Sequence, residues 1–266
     1  MSDSVKRVFI IDISDKRLKS VKQTLIDNGD SAYNFVEGEK YGKNSEIQYI
    51  FIFPPYTPID HKLAKVLSQK SIVFALGCFD LEARQILKDK QITAIFYNDD
   101  EMLVMKNAYL TAEGTLAAII NNTEKSLKSL KILILGYGRV GKALSKLLDD
   151  IGVEVCVATS DVYEIALATV CVHNVYTLEE YETELEKFDV IINTVPKLIL
   201  KGEKLQHIRK DAFVIDLASL PGGVDLDAAN ELGLNVLHYL GVPAKTAAIT
   251  AGQYLYESVK RALDKI

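Results

Sequence analysis

Apolar and polar positions come in alternating blocks along this chain: short apolar runs, then stretches whose apolar residues recur at helical spacing. Residues 7–13 (RVFIIDI) read as a strand. Residues 15–28 carry Leu18, Val21, Leu25 and Ile26 at helical spacing, and Gly29 ends that helix. Runs at 33–37, 47–53, 71–77 and 92–98 predict further strands, with helices at 60–69 and 80–90. Pro54, Pro55 and Pro58 break the chain after the third strand, which puts a loop where open sheets bind ligands. Residues 99–129 read as helix interrupted near 111–114, closing on the polar run NNTEKSLKS. A second series follows, with strands near 131–135, 153–158, 172–176, 189–193, 212–217 and 235–239 and a last helix over 246–264. Strands and helices in this alternation make parallel sheets covered on both faces.

One junction concentrates the chemistry. The apolar run 132–135 stops on Gly136, Gly138 and Gly141, and a helical pattern through Leu144, Leu147 and Leu148 opens at once. A strand that ends on Gly-x-Gly-x-x-Gly and opens a helix is a dinucleotide-binding turn. The first glycine makes the tight turn, the second lets backbone approach a pyrophosphate, and the third lets helix and strand pack closely. The free N–H groups of the helix start then receive the negative charge. The chain therefore reads as an α/β protein of two domains. A C-terminal NAD(P)-binding Rossmann domain follows an N-terminal flavodoxin-like parallel-sheet domain. The expected boundaries are 1–106 for the first, substrate-side domain, 107–130 for a connecting helix, and 131–245 for the Rossmann domain. Residues 246–266 form a helix expected to pack back toward the connector or the first domain.

Composition adds bounds. The chain has 266 residues, 48% hydrophobic and 25% charged, ordinary for a soluble globular protein. A net charge of −5 argues against a nucleic-acid or anionic-membrane surface. No apolar run approaches the ~20 residues a membrane helix needs. The opening MSDSVKR lacks a secretory pattern. Cys78, Cys156 and Cys171 are odd in number and unclustered, against a disulfide framework or a zinc site. A cytoplasmic, reduced protein is expected, with no metal and as a homo-oligomer.

The strand ends locate the remaining candidates. An acid roughly 20 residues past the glycines would bond the adenosine ribose and select NAD. That place reads VATSD, with Ala158, Thr159 and Ser160 where the acid would sit and Asp161 slightly late. Small hydroxyls leave room for a 2′-phosphate, so NADP is expected ahead of NAD. No Arg stands there as a clamp, and NAD stays open if Asp161 reaches the ribose. The fourth strand of the domain ends INTVP, where Asn193, Thr194, Val195 and Pro196 edge the nicotinamide side or form a plain turn. The fifth puts Asp216 and Ser219 at its end, before Pro221-Gly222-Gly223. An acid there points into the crevice or caps the next turn. The sixth adds His238, Lys245, Thr246 and Thr250, with Gly241 and Pro243 shaping the turn.

Together, GYGRVGKAL, INTVP, VIDLASLPGGVD and GVPAKTAAITAGQYL resemble the family of dipicolinate synthase A subunits of spore-forming bacteria. The run NAYLTAEGTLAAIINNT is similar to the family's Pro-Thr-Ala-Glu-Gly helix start, with Leu110 in place of proline. The resemblance covers residue 107 to the end well and the first domain loosely. It implies NADP-dependent formation of pyridine-2,6-dicarboxylate for the spore core, in the mother cell, beside a flavoprotein B subunit. It also implies that Gly136, Tyr137, Gly138, Arg139 and Val140 hold the pyrophosphate and that Thr159 and Ser160 face the adenosine phosphate. Thr194, Pro196, Asp216, Ala218 and Ser219 would line the nicotinamide.

The chain departs from that pattern. The family's first strand ends Gly-Gly-Asp-x-Arg, and here the turn is Ile13-Ser14-Asp15-Lys16-Arg17. Ser160 replaces a common Arg, Ile249 replaces a Lys, and the first domain is shorter. Aromatising a dihydro ring removes a hydride and a proton, for which Asp216, Glu113 and His238 are the candidate bases. The small dicarboxylate substrate needs cations or N–H donors. Lys245 and Arg17 from opposite domains, with the N–H groups of Gly222 and Gly223, are the candidate clamp. Solvated roles compete: Lys245 on a helix start, and Arg17 paired with Asp15. Tyr33, Tyr49, Tyr97 and Tyr109 read as packing residues with polar tips, His61, His173 and His207 as surface residues, and 179–187 as a solvated helix face. Two other readings remain: a dehydrogenase of another small acid, of 2-hydroxyacid or methylene-folate type, and a non-catalytic dinucleotide-binding subunit.

Overall fold

Two parallel sheets carry the chain. The computed structural model describes residues 6–37, 39, 41, 46–54, 57, 63, 66–67, 71–75, 81–171, 174–177 and 180–266, without the side chains of 75 and 81–84. Pro55, Pro58, His61, Cys78, His173 and most of the helix expected at 60–69 lie outside the described residues. Residues Met1–Lys106 with Ala247–Ile266 make one compact unit, and Asn107–Thr246 make the other.

The first unit opens with β1 (Lys6–Ile11), α1 (Lys16–Asp27), β2 (Ala32–Asn34), β3 (Ile47–Ile52), β4 (Ile72–Ala75), α2 (Leu81–Asp89) and β5 (Thr93–Phe96). Its strand order, β2-β1-β3-β4-β5, is the flavodoxin-like arrangement. Asp15 caps α1 by accepting from the Arg17 N–H, and α1 buries Leu18, Val21 and Leu25 on the sheet. The strand expected over 33–37 pairs only as Ala32–Asn34, because β2 is an edge strand with a neighbour on one side. Of the tyrosines expected to pack, Tyr97 is buried, whereas Tyr33 and Tyr109 are exposed.

Next comes α3 (Glu101–Asn122), unbroken across the interruption expected near 111–114. Thr111 and Thr115 direct their hydroxyls back to the Asn107 and Thr111 carbonyls, 2.9 and 2.7 Å away, so they do not compete with the helix. Gly114 is there for contact: a Cβ would lie 2.2 Å from Val242 Cγ1.

The second unit continues with β6 (Ile132–Leu135), α4 (Arg139–Asp150), β7 (Val155–Thr159), α5 (Val162–Cys171) and β8 (Asn174–Thr177). Then follow a 3-10 helix (Tyr181–Lys187), β9 (Val190–Asn193), α6 (Glu203–Gln206), β10 (Phe213–Asp216), α7 (Leu226–Glu231), β11 (Asn235–His238) and α8 (Val242–Thr246). The order β11-β10-β9-β6-β7-β8, all parallel, is the Rossmann arrangement with its switch point between β6 and β9. Strand residues alternate between two buried clusters, Ile132, Ile134 and Val190 on one face and Leu133, Leu135 and Ile191 on the other. Each such side chain contributes about 1.5–3 kcal/mol on burial, so both sheet faces are core. In the run expected as a solvated helix face, the described charged residues 180–187 are exposed or half-buried, and Tyr181 and Leu185 of its 3-10 helix turn into the core. The last helix, α9 (Ala248–Leu263), belongs to the first unit, where Leu255, Val259 and Leu263 join the core with Leu18 and Val21. No described helix is long and apolar enough to cross a membrane.

Candidate functional site

Register brings the chemistry to one edge. Ala158, Leu135, Asn193, Asp216 and His238 stand side by side at the carboxyl ends of β7, β6, β9, β10 and β11. The glycine turn leaves from the middle of this row. Gly136 takes φ +92°, and a Cβ there would meet Thr194 Oγ1 at 2.6 Å. Gly141 packs so closely that a Cβ would lie 2.3 Å from the Gly136 carbonyl oxygen. At Gly138 the nearest atom to a built Cβ is Glu164 Oε1 at 3.8 Å, so the backbone is open to an approaching ligand. Gly138, the N-cap of α4, has no side chain to cap the helix that starts at Arg139 and Val140. A glycine turn that opens a helix at a switch point, with no side chain at the N-cap, fits a dinucleotide pyrophosphate.

The neighbouring loops are tied to this turn. Thr194 Oγ1 donates to the Leu135 carbonyl at 2.9 Å. Asn193 is fully buried, accepts from the Val195 N–H at 3.1 Å, and donates to the Val195 carbonyl at 3.0 Å and to Asp216 Oδ1 at 2.7 Å. Pro196 follows, exposed.

Asp216 departs from the expectation that an acid here points into the crevice. It is fully buried and accepts four hydrogen bonds, from Asn193 Nδ2 and from the N–H groups of Ala218, Gly223 and Val224 at 3.1, 2.8 and 3.2 Å. A carboxylate so saturated holds the 217–224 loop in place. The same bond removes the Gly223 N–H from the expected clamp, and the Gly222 N–H donates to the Ser219 carbonyl at 2.9 Å. Ser219 itself is exposed. His238 is half-buried, with Nε2 3.2 Å from the Ala218 carbonyl oxygen. A carbonyl only accepts, so Nε2 carries a hydrogen, and in the neutral ring Nδ1 is the acceptor.

Other candidates stand apart. Lys245 is exposed on α8, its Nζ 5.1 Å from the centre of the Tyr239 ring. Glu113 is exposed on α3. Arg17, in the first unit, holds Asp15 with Nε at 3.0 and 3.2 Å and with one terminal nitrogen at 2.6 Å.

The adenosine end holds the residue that sequence reasoning missed. Asp161 caps α5, taking the Glu164 N–H at 2.9 Å. Thr159 is buried and donates its hydroxyl to Glu164 Oε2 at 2.6 Å, and Tyr137 donates its backbone N–H to the same oxygen at 3.1 Å. Ser160 is exposed. A carboxylate therefore stands at the end of β7 after all, supplied from the first turn of α5. The signal was the D-x-x-E spacing, Asp161 to Glu164, which marks Glu164 as a first-turn residue able to reach back.

Residues 107–241, half of the chain, match the family model for the S-adenosyl-L-homocysteine hydrolase, NAD binding domain. The chain belongs to that family. The dipicolinate synthase A subunit of Bacillus subtilis (strain 168) is 28% identical over 177 residues, 66% of this chain and 59% of the relative, so the match spans less than two thirds of that protein. The solved dipicolinate synthase A subunit from Bacillus halodurans matches with a TM-score of 0.82 at 22% identity, covering 98% of each chain. A D-lactate dehydrogenase from Treponema pallidum matches with a TM-score of 0.67 at 13% identity, over 96% of this chain and 95% of that one. These structural likenesses establish the fold. The resemblance to dipicolinate synthase A subunits, read from the motifs, stands in both kinds of comparison. The NAD-binding family supports a nicotinamide dinucleotide as the cofactor of this domain.

Proposed function

We propose that this chain oxidises a dihydrodipicolinate-type precursor to pyridine-2,6-dicarboxylate, as a cytoplasmic dipicolinate synthase A subunit working beside a flavoprotein B subunit during sporulation. The observation that carries the reading is the open glycine turn at the switch point, with the Asn193 and Asp216 loops bound around it. When bound there, a nicotinamide dinucleotide supplies the hydride acceptor. The protein's share is to hold the ring on the carboxyl edge of the sheet and to take one proton. With Asp216 committed to the loop, that proton goes to His238, whose Nδ1 is an acceptor at the same edge. Lys245 is the cation offered to a substrate carboxylate, since its Nζ stands over a ring and outside the ion pairs of the described residues. Glu113, exposed on α3, takes no part in this assignment.

Absorbance at 340 nm tests the reading, with the dihydrodipicolinate precursor and each nucleotide, with and without the flavoprotein partner. Reduced nucleotide should accumulate with precursor. A second reading, dinucleotide binding without catalysis, is favoured by one observation: the acid best placed by sequence is saturated by the protein itself. Tight nucleotide binding without turnover under either condition would establish that second reading.

A further inference from the structure

We infer that Glu164 reads the adenosine ribose and makes this site select NAD over NADP. The inference rests on the dinucleotide reading above and concerns its adenosine end. Sequence spacing points to a site without a carboxylate, because VATS ends the strand. The fold restores the carboxylate from the next helix. Ordinarily a Glu three residues past an N-cap closes back on the cap's own N–H. Here the Asp161 N–H lies 3.4 Å from Thr159 Oγ1, and the Glu164 side chain turns to the glycine turn instead.

Glu164 uses its two oxygens differently. Oε2 accepts from Tyr137 N–H and from Thr159 Oγ1, both fixed groups of β7 and the turn. That pair of bonds orients the carboxylate. Oε1 faces Gly138, 3.8 Å from the position of a Cβ on that residue. Ribose hydroxyls are donors and would bond this oxygen. A 2′-phosphate has acceptors and negative charge, so beside Oε1 it meets repulsion. Lys142, one turn into α4, is the counterweight. Its Nζ lies over the Tyr137 and Tyr163 rings, 5.9 and 5.7 Å from their centres. The carboxylate, bonded to the turn itself, decides the preference.

Equilibrium binding to the full chain tests this, with NADH and NADPH followed by their fluorescence and AMP and adenosine 2′,5′-bisphosphate as probes of the adenosine end alone. Wild-type protein should favour NADH over NADPH, and AMP over the bisphosphate, by about tenfold or more, the scale of one charge-assisted hydrogen bond. In Glu164→Gln both preferences should shrink toward unity, since the amide keeps an acceptor for Tyr137 and Thr159 while losing the charge. NADPH binding as tightly as NADH in wild type, or a preference that Glu164→Gln leaves unchanged, overturns the inference. So does a preference for NADPH that Lys142→Ala abolishes. If Glu164→Gln does not fold, the two adenosine probes on wild-type protein decide. Failure of both dinucleotides to bind refutes the dinucleotide site, and this inference with it.

Discussion

Each unit opens its sheet in the same way, with a first strand, a short turn and a helix, yet the two turns have opposite chemistry. After β1, Asp15 caps α1 and receives Arg17 through both its backbone and its guanidinium. Burial works to raise the Asp15 carboxyl, but the hydrogen bonds and charge of Arg17 outweigh it and hold the group below its ordinary value. The turn is closed on its own residues. After β6, the N-cap of α4 is Gly138, which brings no capping side chain and exposes backbone. The topology is shared, so topology does not make a dinucleotide site. Glycine in place of a capping acid does, because it leaves the helix N–H groups for a ligand's negative charge.

The largest expected effect concerns the loop that walls the open turn. Asp216→Ala leaves an amide and three backbone N–H groups buried without their acceptor, and should lower stability by about 4 kcal/mol. The urea unfolding midpoint reads this, and a change under ~1 kcal/mol, small against one orphaned buried group, would mean that water substitutes for the carboxylate. Converting one turn into the other comes next. Gly138→Asp places a capping acid on α4 as Asp15 does on α1, at a backbone conformation (φ −71°, ψ −160°) that any residue adopts. NADH binding should weaken by about a hundredfold through like-charge contact, while stability changes little. Undiminished binding would place the pyrophosphate elsewhere.

Two carboxylates sharpen the comparison through pH. In the second unit, Asp189 bonds Lys125, the Lys131 N–H and Arg209 at 2.7, 2.9 and 2.8 Å. Burial opposes its ionisation, yet these partners hold its pKa at about 2, below the ordinary 3.8. The folded value is the lower one, so the pair's stabilisation is complete above pH 3.8 and is lost as pH falls toward 2. Relative to Asp189→Asn, wild-type protein should lose about 2 kcal/mol across that window in acid unfolding. Parallel curves would show that the network contributes nothing. The smallest effect belongs to the closed turn. Arg17→Met should cost about 1 kcal/mol at neutral pH. It should also move the Asp15 titration upward, visible by carboxyl NMR. An unmoved titration would mean that the cap alone holds Asp15 down.

Much of this was legible without coordinates. The glycine spacing, the six apolar runs of the second unit and the five of the first lead to both strand orders, since local periodicity and right-handed crossovers leave few arrangements. Asn193 and Thr194 were legible as neighbours of the glycine turn because strand ends in a parallel sheet share one edge. Gly114 misled the helix assignment because its reason is a contact with Val242, remote in sequence. Asp216 misled in a similar way: an acid at a strand end reads as functional until the donors of a loop returning seven and eight residues later are counted.

Sequence alone therefore determined the two sheets, their turns and the presence of a dinucleotide motif, all consequences of backbone sterics and hydrophobic period. Which polar groups remain available to a ligand was decided only by tertiary structure. Asp15 and Arg17 satisfy each other, Asp216 satisfies a loop, and Glu164 crosses from a helix to the glycine turn. The physical reason is that a hydrogen bond depends on distance in space, and these donors and acceptors meet only after the sheets have formed.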